Sequence, residues 1–153
     1  MTPGTIDLKV VGDRLGLVSG CLDELRSLPQ ASVEEFLADR RNPLAADTLL
    51  RRALEALFDI ARHLLSRTHG IGALEYREVA RQAVEREFVQ DAELGRRFML
   101  MAGFRNRLIH HYDEVTPREL YEVITGSLSD LERLAEALRE AAARLAHRDQ
   151  RQT

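Results

Sequence analysis

Apolar residues recur at intervals of three and four along most of the chain, which is the spacing of amphipathic α-helices. Five such stretches can be marked, with the third shorter and less regular than the others: residues 6–28, 42–67, 75–89, 92–109 and 116–147. Together they predict an all-α fold class, an up-and-down bundle of four main helices plus a short helix.

Residues that start and stop helices lie where these stretches begin and end. The segment Ser32 to Glu35 has the form of a capping box and opens a short turn through Phe36 and Leu37. Caps are also expected at Asn42 (before Pro43), Asp91 and Thr116 (before Pro117), and a left-handed terminator at Gly70.

The length of 153 residues fits one domain, predicted to span residues 1–147 and to be followed by a frayed tail at 148–153. Leu8, Val11, Leu15, Val18, Leu22 and Leu25 form a narrow seam of coiled-coil type in the first helix. A row of glycines four apart, from Gly12 to Gly20, lies on a neighbouring face. The seam either forms a homodimer contact or faces the core of its own subunit.

Composition limits the function classes. Hydrophobic residues make up 44% and charged residues 31%, as in a soluble globular protein, and the net charge of −3 argues against a general nucleic-acid coat protein. Cys21 is the only cysteine, which excludes an intrachain disulfide and a cysteine-based zinc site. Without a signal-peptide pattern or a membrane-spanning stretch, we expect a cytoplasmic protein with no membrane association.

The chemistry is concentrated in residues 105–112, where a guanidinium, an amide, two imidazoles and a phenol follow one another. Helical spacing places Arg105 within an apolar stripe, so its charge points either into a core ion pair or into a cleft that holds an anion. His110 would face nearly opposite Arg105 on an uninterrupted helix. The two meet only if the helix ends or distorts near Ile109, or if a second subunit contributes.

An arginine, a histidine and a tyrosine suit chemistry on a phosphodiester. His110 could move a proton from or to a ribose oxygen, Arg105 could bind phosphate and stabilise the transition state, and Asn106 could orient the histidine. DNA lacks the 2′-hydroxyl nucleophile, so this scheme selects RNA. It needs no metal or other cofactor, and His110, His111 and Asp113 are too compact for a confident ligand set.

A second arginine–histidine pair, Arg62 and His69, lacks a tyrosine two residues after its histidine. We interpret it as a pair of cations that interact with the dipole at a helix end.

The string from Arg105 through Asn106 and His110 to Tyr112 resembles the R-x4-H-x-Y motif of the HEPN superfamily, most closely the HepT-like (DUF86) toxins. The resemblance covers most of the chain. It implies a metal-independent ribonuclease with a composite active site across a homodimer, acting on tRNA or mRNA. It also implies a minimal nucleotidyltransferase antitoxin as partner, which would transfer AMP to Tyr112.

Two alternatives stay open. His111 competes with His110 for the catalytic role; we favour His110 because Tyr112 follows it by two residues, and assign His111 and Arg107 to supporting positions. The other function is a non-catalytic helical module that holds a nucleotide or docks a partner protein. The complete set of Arg105, Asn106, His110 and Tyr112 favours catalysis, since docking alone needs no imidazole.

Overall fold

A computed structural model describes residues 4–110 and 115–152. Within these ranges the chain is all-α, as predicted, and none of the helices is long and apolar enough to cross a membrane. The helices are α1 (Leu8–Ser27), α2 (Val33–Ala38), α3 (Arg41–His69), α4 (Tyr76–Glu85), α5 (Ala92–His110), α6 (Pro117–Gly126) and α7 (Leu128–Arg151).

The long helix α3 is the centre of the bundle, because it packs against all six other helices. Between Ala53 and Leu65 its side chains are buried on almost the whole circumference, as expected of a central helix. The exceptions include Glu55, Asp59 and Arg62, whose spacing of four and three residues places them in one stripe. This polar stripe is the part of α3 on which the functional site depends.

The seam predicted in the first helix faces the core of its own subunit. Val11, Val18, Leu22 and Leu25 are buried, where α1 packs against α3 and α7. Leu8, the first member of the seam, is half exposed.

Several predicted helix ends are confirmed by their hydrogen bonds. Ser32 Oγ accepts the Glu35 amide at 3.1 Å, and Asp91 Oδ1 accepts that of Leu94 at 2.8 Å. Thr116 caps α6, and Gly70 ends α3 in the left-handed region with φ 66°.

The predicted start of α3 is wrong. The helix begins at Arg41 and not after an Asn42 cap, and Asp39 Oδ1 accepts the Arg41 amide at 2.9 Å. The Asn42 side chain instead donates to the Phe36 carbonyl at 3.0 Å, which ties α3 to α2.

The last predicted helix is two helices, which meet at Ser127 (φ −124°, ψ −2°). Gly126 weakens the helix at this point, and the Thr125 hydroxyl donates back to the Tyr121 carbonyl at 2.9 Å. The second of the two helices runs to Arg151 and not only to about His147.

Candidate active site

Helix α5, which carries the motif residues Arg105, Asn106 and His110 (the motif helix), ends at an open cleft of about 680 Å³. Arg105, Asn106 and His110 of α5 line one side of it, and Arg62 of α3 lines another. Residues 73–76, which lead into α4, form the remaining wall. Helices α3, α4 and α5 pack against one another, so three elements of the bundle fix the shape of this cleft.

Arg105 is both ion-paired and at the cleft. Its Nη2 lies 2.7 Å from Glu55 Oε1, and only 12% of its side chain is exposed. The guanidinium carbon lies 3.7 Å from the centroid of the Tyr76 ring, a cation–π distance. Arg105 therefore combines the two alternatives that the sequence left open. It forms an ion pair with a carboxylate, and it also lines the cleft that a ligand would enter.

Two donor atoms of Arg105 have no protein acceptor within the ranges that the structure describes. Nε is buried without a hydrogen bond, and the bond to Glu55 uses Nη2 alone. A guanidinium carries five N–H donors in a planar fork, so it can hold one carboxylate oxygen and bind a second anion through Nη1.

Arg62 belongs to the same cleft, and its interpretation as a helix-end cation beside His69 is wrong. Its Nη2 donates to the Leu74 carbonyl at 2.9 Å, and its guanidinium carbon lies 4.3 Å from the centroid of the Tyr76 ring. His69 lies two turns further along α3, about 10 Å away at 1.5 Å per residue. There it contacts the Thr68 hydroxyl at 2.6 Å.

His110 is exposed, while Asn106 and Arg105 are partly buried. Helix α5 continues through His110, so at 100° per residue Arg105 and His110 point about 140° apart. Both nevertheless line the cleft, with His110 at its solvent side. In the described parts of the chain neither His110 nor Asn106 has a hydrogen-bond partner for its side chain. Tyr112 and His111 lie outside the described residues.

Arg107 points to α6 and forms a forked ion pair with Glu119. Nη1 and Nη2 lie 2.7 and 2.8 Å from the two carboxylate oxygens. The pair joins the end of α5 to the start of α6, on the two sides of residues 111–114. Its geometry fits a supporting position better than a ligand-binding one.

The cleft offers positive potential from more than one source. Arg62 and Arg105 carry full charges, and the N-terminus of α4 adds its dipole, since the Glu75 side chain does not cap it. Glu55 and the exposed Glu75 oppose them. Arg96 and Arg97 do not contribute, because they bind Glu93 and hold the pKa of that carboxyl at about 2. Among the described residues, no group of three or more His, Cys, Asp or Glu side chains could hold a metal ion.

Glu55, Arg62 and Tyr76 are site residues that the motif did not indicate. The polar stripe of α3 was the available signal for the first two: charged residues at spacings of four and three interrupt an otherwise apolar stretch. Tyr76 had no such signal, since its role depends on how α4 packs against α3 and α5.

Comparison with known proteins identifies relatives of this chain. The family model described as ribonuclease HepT-like matches residues 18–138. A tRNA nuclease HepT from Aphanizomenon flos-aquae (strain 2012/KM1/D3) is 26% identical over 123 residues, which cover 80% of this chain and 83% of the relative.

Solved structures with the same fold include the tri-AMPylated HEPN toxin of Shewanella oneidensis in complex with its MNT antitoxin. That toxin superimposes with a TM-score of 0.75 and 18% identity, over 86% of this chain and 97% of the toxin. A toxin–antitoxin structure with AMP-PNP gives a TM-score of 0.74 at 18% identity, over 84% of this chain and 97% of the other.

Proposed function

Because this chain belongs to the HepT-like ribonuclease family, we propose that it is the toxin of a toxin–antitoxin pair and cleaves RNA at the cleft beside Tyr76. One observation carries the proposal: Arg105, Asn106 and His110 line a single cleft. A guanidinium can bind the phosphate, an exposed imidazole can transfer a proton, and the amide can orient either partner by a hydrogen bond.

The reaction is a transfer of phosphorus between two ribose oxygens. A base removes the proton of the 2′-hydroxyl, and the 2′-oxygen bonds to phosphorus while the bond from phosphorus to the 5′-oxygen breaks. The leaving 5′-oxygen takes a proton from an acid, which leaves a 2′,3′-cyclic phosphate and a 5′-hydroxyl. His110 is one of the proton-transfer groups, and Arg105 stabilises the added negative charge on the phosphoryl oxygens.

A homodimer completes the site in this proposal. The reaction uses a base and an acid, and His110 is the candidate for one of them in each cleft. A second copy of the chain, docked with its Arg105 helix near the twofold axis, would bring another His110 to the same phosphate. We therefore expect a dimer at micromolar concentration in sedimentation velocity, and a monomer would contradict the composite site.

The relatives suggest the substrate and the partner. The Aphanizomenon protein is a tRNA nuclease, and the Shewanella toxin is AMPylated and bound to an MNT antitoxin. We propose tRNA as the substrate, a minimal nucleotidyltransferase as the antitoxin, and Tyr112 as the AMP acceptor. We expect a bulky anionic nucleotide attached to Tyr112 to block the binding of RNA and to repel its phosphates.

The test is cleavage of tRNA and of total RNA by the partner-free protein in EDTA, after mass spectrometry shows Tyr112 unmodified. Cleavage should persist in EDTA and be lost in Arg105→Ala and His110→Ala. His111→Ala is the matched control, because it removes the neighbouring imidazole, and it should remain active. Loss in His111→Ala with activity in His110→Ala would assign the catalytic role to His111.

A non-catalytic nucleotide-binding or docking module is the second candidate, and the Arg105–Glu55 ion pair favours it. That carboxylate already neutralises part of the charge that a transition state would use. No cleavage by folded, unmodified dimer would support this candidate and refute the ribonuclease.

A further inference from the structure

The ring of Tyr76 gathers two guanidinium groups that come from different helices. The guanidinium carbon of Arg105 lies 3.7 Å from the ring centroid and that of Arg62 lies 4.3 Å from it. The two carbons are therefore no more than about 8 Å apart, the sum of these distances. The contact of Tyr76 with Phe58, at 5.0 Å between ring centroids, fixes the ring to the core of α3.

Among the residues that the structure describes, Arg105 is paired with a carboxylate and Arg62 is not. Arg105 binds Glu55, whereas Arg62 donates a hydrogen bond to the neutral carbonyl of Leu74. Its Nε is buried without an acceptor, and in the described chain no carboxylate forms an ion pair with it. Glu55 offsets part of the charge of Arg105 and leaves that of Arg62 uncompensated, so a bound anion lowers the electrostatic energy of the two guanidinium groups.

The start of α4 adds to the same potential. Tyr76 is the first residue of α4, and the side chain of the N-cap residue Glu75 does not cap the amides of its first turn. A helix N-terminus stabilises a nearby negative charge, so it favours anions in the same space as the two guanidinium groups. Exposed Glu75 opposes this effect from the solvent side of the cleft wall.

We propose that Arg62 is a second phosphate ligand, which binds the backbone phosphate adjacent to the one cleaved beside Arg105 and His110. This inference rests on the proposed ribonuclease function. The distance between successive phosphates of one strand falls within the upper limit of about 8 Å on the separation of the two guanidinium carbons. A positively charged groove that follows the backbone is the usual way to hold single-stranded RNA. The cleft thus fixes the register of the strand as well as the scissile phosphate.

A purely structural role for Arg62 predicts different results. In that case Arg62 only links α3 to the 73–76 wall through the Leu74 carbonyl, and its loss changes stability and the affinity for every RNA alike. If Arg62 binds a phosphate, its loss instead changes the salt dependence of RNA binding. It also changes how much a neutral linkage at one position of the RNA weakens binding.

The experiment uses a non-cleavable 2′-O-methyl RNA oligonucleotide and the partner-free, unmodified protein. Binding is measured from low to moderate salt for wild type, Arg62→Gln and Arg67→Gln. Arg67 is the matched control, since it lies on the same helix and is exposed. Removing one phosphate contact should reduce the slope of log K against log salt by about 0.7 for Arg62→Gln, and Arg67→Gln should keep the wild-type slope.

A methylphosphonate scan of the same oligonucleotide then locates the contact. In wild type, a neutral linkage next to the cleavage position should weaken binding several-fold. In Arg62→Gln that penalty should disappear, while the penalty at the cleavage position itself stays. If Arg62→Gln does not fold, Arg62→Lys keeps the charge for the scan without the planar fork.

An unchanged salt slope in folded Arg62→Gln, or equal penalties at every position in both proteins, would overturn the proposal. Failure of the proposed ribonuclease function gives a different result. The protein would then cleave no natural RNA, while a neutral linkage at one position would still weaken binding in an Arg62-dependent way.

Discussion

Replacing Glu55 with glutamine tests how strongly the fold depends on pairing the charge of Arg105. The substitution keeps the side-chain length and one oxygen acceptor but removes the negative charge 2.7 Å from Nη2. Arg105 is 12% exposed and cannot lose its proton, so the variant leaves a nearly buried cation without a counter-charge.

The expected loss of stability follows from the exposed fractions of the Arg105 and Glu55 side chains. Removing one partner of a fully buried ion pair costs about 3–5 kcal/mol. Glu55 is 42% exposed, so water screens this pair, and the Tyr76 ring still stabilises the cation. We therefore expect a loss of about 1–2 kcal/mol in the free energy of unfolding, which is a fall of about 2–8 °C in Tm for a chain of this size.

The assay is urea unfolding followed by circular dichroism, at one fixed protein concentration because any dimer links stability to concentration. The control is Asp59→Asn, one turn along α3. Asp59 is similarly exposed at 40%, but its partner Arg14 is 47% exposed and lies 3.6 Å away. An exposed pair of this kind contributes about 0.5 kcal/mol. Equal losses in the two variants would refute the reasoning, because burial of the arginine is the main difference between the pairs.

Further predictions concern the motif helix and the N-terminus. A double-mutant cycle between Arg107→Ala and Glu119→Ala should give a coupling of about 1 kcal/mol in urea unfolding, since the forked pair is partly buried; independent effects would show that the pair does not stabilise the junction of α5 and α6. His63 Nε2 accepts the Asp7 amide at 2.9 Å, and burial, followed by the nearby Arg67 charge, lowers its pKa. The unfolded chain then binds the proton more readily, so stability should be complete above pH 6.5 and fall as the pH drops through 6.5 towards the lowered folded value. In thermal melts, His63→Gln should lose less stability than wild type as the pH drops below 6.5. Identical dependence of Tm on pH in the two proteins would contradict this prediction.

The sequence predicted the fold class well because local signals carry it. Caps such as Ser32 and Thr116 act within three residues, and apolar spacing marks the helices before any packing is known. The break at Ser127 was missed since apolar spacing continues across it. Asn42 was misassigned because its side chain donates to the Phe36 carbonyl, a contact with α2 that the local cap pattern does not indicate.

The residues of the candidate site were likewise predicted where they are close in sequence and missed where they are distant. Arg105, Asn106 and His110 are close in sequence and were found together, and they line one cleft. Glu55 is 50 residues from its partner Arg105, a separation that no local pattern spans. Arg62 was assigned to a helix end because the sequence alone does not reveal that residues 73–76 fold back over it. The predicted roles of Tyr112 and His111 stay predictions.

The central position of α3 has a consequence for the motions of the cleft. Its buried segment contacts the whole bundle, so the amides around Glu55 and Arg62 should exchange with solvent hydrogen only when the entire molecule unfolds. Residues 73–75 of this wall lie outside the helices, and the wall is tied to α3 by the Arg62–Leu74 hydrogen bond and by the Tyr76 ring. Entry of a wide ligand such as folded RNA would therefore proceed by displacement of this wall, while the side that carries Arg105 stays fixed and keeps its geometry ready for the phosphate.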